Sequence, residues 1–456
     1  MVFSSFVFLF LFLPFTLAVY YLAPGRAKNG ILFFMSLIFY AWGEPIYILI
    51  MLFSTVFDYL NGLALEKLDK KQNEIARTAV LILSVLVNIG LLCFFKYTDF
   101  AIETVNKLGG LNLRTLGIKL PIGISFYTFQ TLSYTIDVYR RRVKAQHNVI
   151  NFGMYICMFP QLIAGPIVRY ADIENQLDIR CRRANADMAL SGMLRFIRGL
   201  GKKVLIANAA GALWAEISAQ SGASALTAWL GTFAFALQIF FDFSGYSDME
   251  RGLAAMFGFN LNENFNYPYM SKSITEFWRR WHISLSTWFK EYVYIPLGGN
   301  KKGLPRQIIN LLIVWFLTGL WHGAGWNFVL WGLYFFVLLA LEKLFLLKLI
   351  KKLPAALGHI YTVIAVLISW AIFAEADFSA MLGLNGFYSA DVVYYLKSYA
   401  VVIVLGILFS TDYPKKLFEK YVKSKTTEYI IAGLIAALSV LMLIGDSYNP
   451  FLYFRF

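Results

Sequence analysis

Of the four histidines in the chain, two stand in Trp-His pairs, Trp281-His282 and Trp321-His322. A neutral imidazole can take a proton from an attacking hydroxyl, and its ordinary pKa of about 6.5 suits that work near neutral pH. His322 lies in Trp321-His322-Gly323-Ala324-Gly325-Trp326, inside a stretch from Gln307 to Leu341 without a single Asp, Glu, Lys or Arg. An ionisable group at membrane depth is costly and functional by default. His322 is therefore the first candidate for a general base, against the plainer role of a histidine that bonds carbonyls freed at a helix break. His282 is the second candidate, against the plainer role of a core histidine satisfied by a backbone carbonyl. His147 and His359 sit at the edges of apolar runs and carry no such expectation.

The elements that must position these rings follow from period and breaks. The 35 residues Gln307–Leu341 would run about 52 Å as one helix, too long for a hydrocarbon core of roughly 30 Å. Glycines at 319, 323 and 325 predict two helical arms broken at the histidine. Trp278, Trp281, His282, Leu285, Phe289 and Tyr292 share one face of a helix, with Arg279, Arg280, Ser286 and Lys290 on the others. His282 is thus expected to point with the tryptophans toward the protein. In Phe241-Asp242-Phe243-Ser244-Gly245-Tyr246-Ser247-Asp248, Asp242 is expected near a membrane boundary, where it orients a histidine, pairs with an arginine or caps a helix. Asp248 is expected to cap. Phe159–Pro166 breaks a span with two prolines and a glycine, a backbone tolerated at membrane depth only where it lines a cavity or is buried in protein.

Composition bounds the rest. The chain has 456 residues, 59% hydrophobic and 15% charged, with mean hydropathy +0.61, and reads as an all-α polytopic membrane protein. Uncharged runs recur at Met1–Gly25, Thr78–Phe95, His147–Val168, Ile217–Phe241 and Tyr429–Gly445, whereas barrel strands alternate over about 10 residues. About ten to twelve transmembrane helices are expected, with short broken and interfacial helices in the middle third. The first run reads as a retained span with its N-terminus outside, and the tail Phe451–Phe456 is also placed outside. The net charge of +14 is spread over short loops, as the positive-inside rule requires, and implies no nucleic-acid partner. The segment 260–306, with seven Lys and Arg against two Glu from 272 onward, is placed at the cytoplasmic face as an interfacial segment of a single transmembrane domain, 1–456. Cys93, Cys157 and Cys181 have no ligand spacing, so neither a disulfide framework nor a metal site is expected. No Walker A loop, GxSxG or HExxH is present, and no bound cofactor is expected.

The Met1-Val2-Phe3-Ser4-Ser5 start, Pro160–Pro166, Phe241–Met249, Asn264–Pro268, Trp278–Gly299, Leu320–Gly323 and the aromatic tail together resemble the membrane-bound O-acyltransferase family. The likeness is to its bacterial branch, typified by alginate O-acetyltransferases. That resemblance implies a ring of helices around a central tunnel, with His322 matching the catalytic histidine and His282 the second signature histidine. It implies transfer of an acyl group, most simply acetyl, from a cytoplasmic thioester (acetyl-CoA or an acyl-carrier protein) to an extracytoplasmic hydroxyl. The acceptor would be a polysaccharide or cell-wall polymer, or a separate extracytoplasmic acyltransferase that relays the group. The location would be the bacterial cytoplasmic membrane. D-alanyl transfer to teichoic acid is the related alternative. A transporter of an activated group and a recruiting scaffold are the readings from other classes.

Overall fold

The computed structural model describes residues 1–162, 165–182, 185–445 and 451–452, and among them every regular element is helical. Ile163 and Ala164 of the proline break, and residues 453–456 of the tail, lie outside the described residues. Among the described residues, six helices are long and apolar enough to cross a membrane: Ile48–Lys70, Glu74–Gly109, Ala225–Met256, Gly303–His322, Ala355–Phe373 and Lys425–Gly445. A bent pair, Asp391–Ser398 with Ala400–Phe409, makes a seventh if it is one span. The chain is thus polytopic and helical. Much of the remaining apolar sequence forms shorter helices, such as Lys28–Ala41, Ile124–Tyr139 and Trp326–Leu341, so fewer full-length spans appear than the ten to twelve read from apolar runs.

The described chain divides into two compact units, Met1–Met193 with Glu250–Asn262, and Leu194–Met249 with Glu263–Phe456. In the first unit, Glu74–Gly109 shows how local chemistry sets an element. Asn73 caps it by accepting from Ala76 N, Glu74 sits in the first turn, and Gly110 ends it with φ 62°. The carboxylate of Asp58, fully buried on Ile48–Lys70, ties three helices together. It accepts from Ser84 Oγ (2.6 Å) and Asn88 Nδ2 (2.7 Å) on Glu74–Gly109, and from Thr135 Oγ1 (3.1 Å) on Ile124–Tyr139. Between the first and third of these helices, Gly62 lets Tyr134 close in, since a Cβ there would meet the phenol oxygen at 2.2 Å. After the helix Val149–Cys157, the proline break leaves Gly165 packed on the carboxylate of buried Glu250, 1.2 Å from where a Cβ would stand. No other residue type fits there.

In the second unit, helix pairs are set by small residues and buried charge. Gly199 and Gly245 face each other, each placing the other's carbonyl oxygen within 2.8 Å of a would-be Cβ. Lys203 Nζ meets Asp242 Oδ1 at 2.6 Å, both side chains buried, while Arg195 (2.9 Å) and Lys202 (2.7 Å) bind Asp248. The expectations for these two aspartates are corrected in part. Asp242 pairs with a lysine and not an arginine, and Asp248 sits inside the helix Ala225–Met256, pairing across to its neighbour where capping was expected.

Removing the Asp58 carboxylate orphans several buried donors at once, each costing about 1–3 kcal/mol. Asp58→Ala is expected to destabilise the protein by roughly 3–5 kcal/mol, read as a lowered thermal midpoint in detergent. Lys351→Ala, on an exposed loop, is expected to leave the midpoint unchanged.

Candidate functional site

The apolar run through His322 is two arms, as its length requires. Gly303–His322 ends at the histidine, Gly323–Gly325 turn the chain, and Trp326–Leu341 runs back. Gly319 does not break the helix but seats the partner. A Cβ there would lie 2.4 Å from Phe328 O, and one on Gly332 would lie 2.3 Å from Trp315 O. The arms pack backbone to backbone, which fixes the turn between them. Gly323 is needed for space, because a Cβ would fall 2.0 Å from the Phe328 ring. His322 itself is 5% exposed and edge-on to Trp331 (4.8 Å), Trp321 (5.1 Å) and Phe373 (5.6 Å).

The continuous helix expected through His282 is interrupted. Ile274–Arg280 and Ile283–Phe289 are separate, and His282 joins them at φ 44°, ψ 55°. A non-glycine residue in the left-handed region stores of order 1–3 kcal/mol and persists only where the surroundings enforce it. Here the preceding loop enforces it. Ile283 N donates to Asn264 O (3.0 Å) and Asn266 N to Arg280 O (2.9 Å), so residues 264–266 pair with both sides of the break. The apolar face read from the sequence survives, with Trp278, Trp281, His282, Leu285, Phe289 and Tyr292 all buried, and Trp288 buried beside them.

Asn264 also sets the tautomer of His282. Its Oδ1 accepts from Ser284 N (3.1 Å) and Ser284 Oγ (3.0 Å), and lies 3.3 Å from His282 Nδ1. A backbone N–H can only donate, so this amide atom is an oxygen, and the proton of the neutral ring sits on Nδ1. The lone pair is then on Nε2, which is buried with no hydrogen-bond partner among the described residues. Burial holds the imidazole's pKa well below the ordinary histidine value. Phe243 stands edge-on to the ring at 4.7 Å, and Trp321 at 5.9 Å. Trp321 thus touches both imidazoles. The other two histidines are elsewhere, His147 exposed against Glu66 (2.8 Å) and His359 against Ser271 O (3.2 Å).

Two positioning groups are not visible in the periodicity. The carboxylate of Glu342, 1% exposed, caps Ile274–Arg280 by accepting from Ile274 N (2.7 Å), Thr275 N (2.9 Å) and Thr275 Oγ1 (2.6 Å). The second is the chain near its C-terminus. Leu452 N donates to Asp242 Oδ2 (2.7 Å), and Phe451 packs on Tyr246 (4.8 Å) and on Phe243 (6.0 Å), the ring that faces His282. Asn264 and Glu342 lie 18 and 60 residues from His282, so no spacing rule connects them; the resemblance marked the stretch that begins at Asn264, and nothing marked Glu342. Among the described residues, no three His, Cys, Asp or Glu converge as metal ligands.

Glu342→Gln replaces an oxygen acceptor by an NH2 facing backbone N–H groups, so a stability loss of about 1–3 kcal/mol is expected, with acyl transfer falling further than stability alone explains. A pH series checks the state of His282. Its folded-state pKa is depressed, so below the unfolded value near 6.5 the unfolded chain binds a proton that the folded one refuses. Wild-type stability is then expected to fall on acidification by up to about 1.4 kcal/mol per pH unit more steeply than that of His282→Gln, measured as thermal midpoints from pH 7.5 to 5.

Comparison with known proteins identifies the family. The family model described as "MBOAT, membrane-bound O-acyltransferase family" matches residues 45–374. A probable alginate O-acetylase AlgI from Azotobacter vinelandii is 37% identical over 505 residues, covering 100% of both chains. Its counterpart from Pseudomonas aeruginosa is 43% identical over 377 residues, 82% of this chain and 72% of that one. A peptidoglycan O-acetyltransferase from Helicobacter pylori is 31% identical over 520 residues, 100% of this chain and 98% of that one. The protein is a multi-pass membrane O-acyltransferase and belongs to the membrane-bound O-acyltransferase family.

Proposed function

We propose that this enzyme moves an acetyl group from a cytoplasmic thioester, acetyl-CoA or an acyl-carrier protein, to a hydroxyl outside the cytoplasmic membrane, with His322 as general base. The acceptor is a polysaccharide hydroxyl or a partner acyltransferase that passes the group on. The observation that carries the reading is a pair of buried imidazoles flanking one indole, Trp321, with further aromatic rings packed on both. The similarity to an alginate O-acetylase and a peptidoglycan O-acetyltransferase supports acetyl as the group and a sugar polymer as the final acceptor.

In the proposed step, His322 removes the hydroxyl proton as the oxygen attacks the thioester carbonyl. The new C–O bond forms, the C–S bond breaks, and the proton passes from the imidazolium to the thiolate. Water-poor surroundings limit hydrolysis of the thioester. With its proton committed to Asn264, His282 has no Nε2–H with which to polarise the carbonyl. Its bare Nε2 can only accept a hydrogen bond, so its role is to position the reacting groups and not to activate the carbonyl. The basic segment 272–306 supplies charge complementary to an anionic donor on the cytoplasmic side.

The test uses purified protein in sealed vesicles given acetyl-labelled CoA from the cytoplasmic side, with an external hydroxyl acceptor. His322→Ala in a folded protein is expected to lower both CoA release and acceptor labelling by about 10²–10⁴-fold. Near-normal transfer by this variant would remove His322 as the base. Label that crosses still attached to its donor, equally in both proteins, would mean transport without transfer. His282→Ala is expected to lose activity at least as severely as Asn264→Ala, which keeps the ring but frees its tautomer.

A further inference from the structure

A cavity of about 1080 Å³ lies in the first unit, lined by neither His282 nor His322. One side is apolar, with Phe15, Ile31 and Phe34 from the helices Leu13–Leu22 and Lys28–Ala41. Phe15 is 58% and Phe34 62% exposed, so this apolar wall faces outward from the unit. The other side is polar, with Arg26, Lys144 and Arg180 at the rim and Asn29 in the floor.

The charge behind that floor is unusual. Arg182 is 6% exposed and donates from Nη2 to Asn29 Oδ1 at 2.6 Å, while its Nε and Nη1 make no hydrogen bond. Among the described residues it has no carboxylate partner, and only the faces of Phe259 (4.4 Å) and Tyr20 (5.9 Å) receive the guanidinium. A buried charge without a counter-ion is costly, and an anion in the cavity would offset that cost. Asn29 turns its Nδ2 to Asn151 Oδ1 and Leu177 O, so the amide and the arginine form one held unit. At the rim, Arg26 and Lys144 make no ion pair among the described residues. Two carboxylates also line the cavity, but Asp178 is bound by Arg180 and Glu174 accepts from Lys144 N. Three cations line the cavity against these two carboxylates, and Arg182 adds a fourth behind Asn29.

We propose that this cavity holds the phosphate headgroup of an anionic phospholipid, one acyl chain lying along Phe15 and Phe34. Basic cavities between membrane helices take such headgroups, each Lys or Arg contributing about 1 kcal/mol near the surface. The outward-facing apolar wall favours a lipid over a water-soluble phosphate, which would leave that wall uncovered. Loop charge puts Arg26 and Lys144 on the same side of the membrane, the side where the positive-inside rule and the anionic leaflet coincide.

The experiment uses the full chain in detergent micelles, with retained lipid read by native mass spectrometry and the thermal midpoint followed in parallel. Phosphatidylglycerol is expected to bind and raise the midpoint, and phosphatidylcholine to do neither. The double variant Arg26→Glu/Lys144→Glu, both exposed positions, is expected to weaken phosphatidylglycerol binding by about tenfold or more. Lys351→Glu/Lys352→Glu, on a different basic loop, is expected to bind as wild type. Equal binding of both lipids, or a double variant that still binds phosphatidylglycerol like wild type, would overturn the proposal. Glycerol 3-phosphate or coenzyme A binding as tightly as the lipid, with the same dependence on Arg26 and Lys144, would overturn it in favour of a soluble-phosphate site.

Discussion

In an apolar interior, every backbone N–H and C=O must find its partner within the protein. This fold breaks helices at both His282 and His322, and at His282 the freed groups find partners in the surroundings. At His282 the loop 264–266 pairs with residues 280 and 283, Asn264 Oδ1 takes Ser284 N, and Glu342 takes the first N–H groups of Ile274–Arg280. The same bonds that make the break tolerable aim the ring and choose its tautomer. Structural economy and chemistry are one arrangement here, because a broken helix in this environment is stable only when it is over-determined.

Buried charge obeys the same accounting, with a different solution at each place. Asp58 is surrounded by neutral donors that satisfy both oxygens. Glu342 faces a helix N-terminus, where the dipole favours a carboxylate. Asp242 has a lysine and a backbone N–H. Each solution pins two or more segments of chain, so the charges act as registers between helices as much as sources of stability. Arg182 is the exception, with aromatic faces and one amide oxygen as its partners.

Close approach of helices is the remaining device. The pairs Gly319–Gly332 and Gly199–Gly245 let backbones pass at distances that any Cβ would forbid. Without lipid-excluding hydrophobic force between helices, such packing supplies much of the association. It also sets the turn after His322 within narrow limits, and with it the ring among Trp321, Trp331 and Phe373.

Apolar run length and loop charge determined the class of this protein from sequence, because a bilayer imposes lengths that no soluble fold needs. The break at His322 was legible for the same reason, a 35-residue uncharged run being too long for one crossing. The break at His282 was not. A left-handed residue between two short helices preserves the buried face, so the helical period passes through it unmarked. Asp248 likewise reads as a cap by residue type, but its partners Arg195 and Lys202 come from another helix. Only six of the described helices are long and apolar enough to cross as single helices, because much of the apolar sequence folds as shorter helices. Which nitrogen of His282 carries the proton, and that Asn264 decides it, belonged to the tertiary structure alone. Eighteen residues of chain separate the two, and only folding closes that distance.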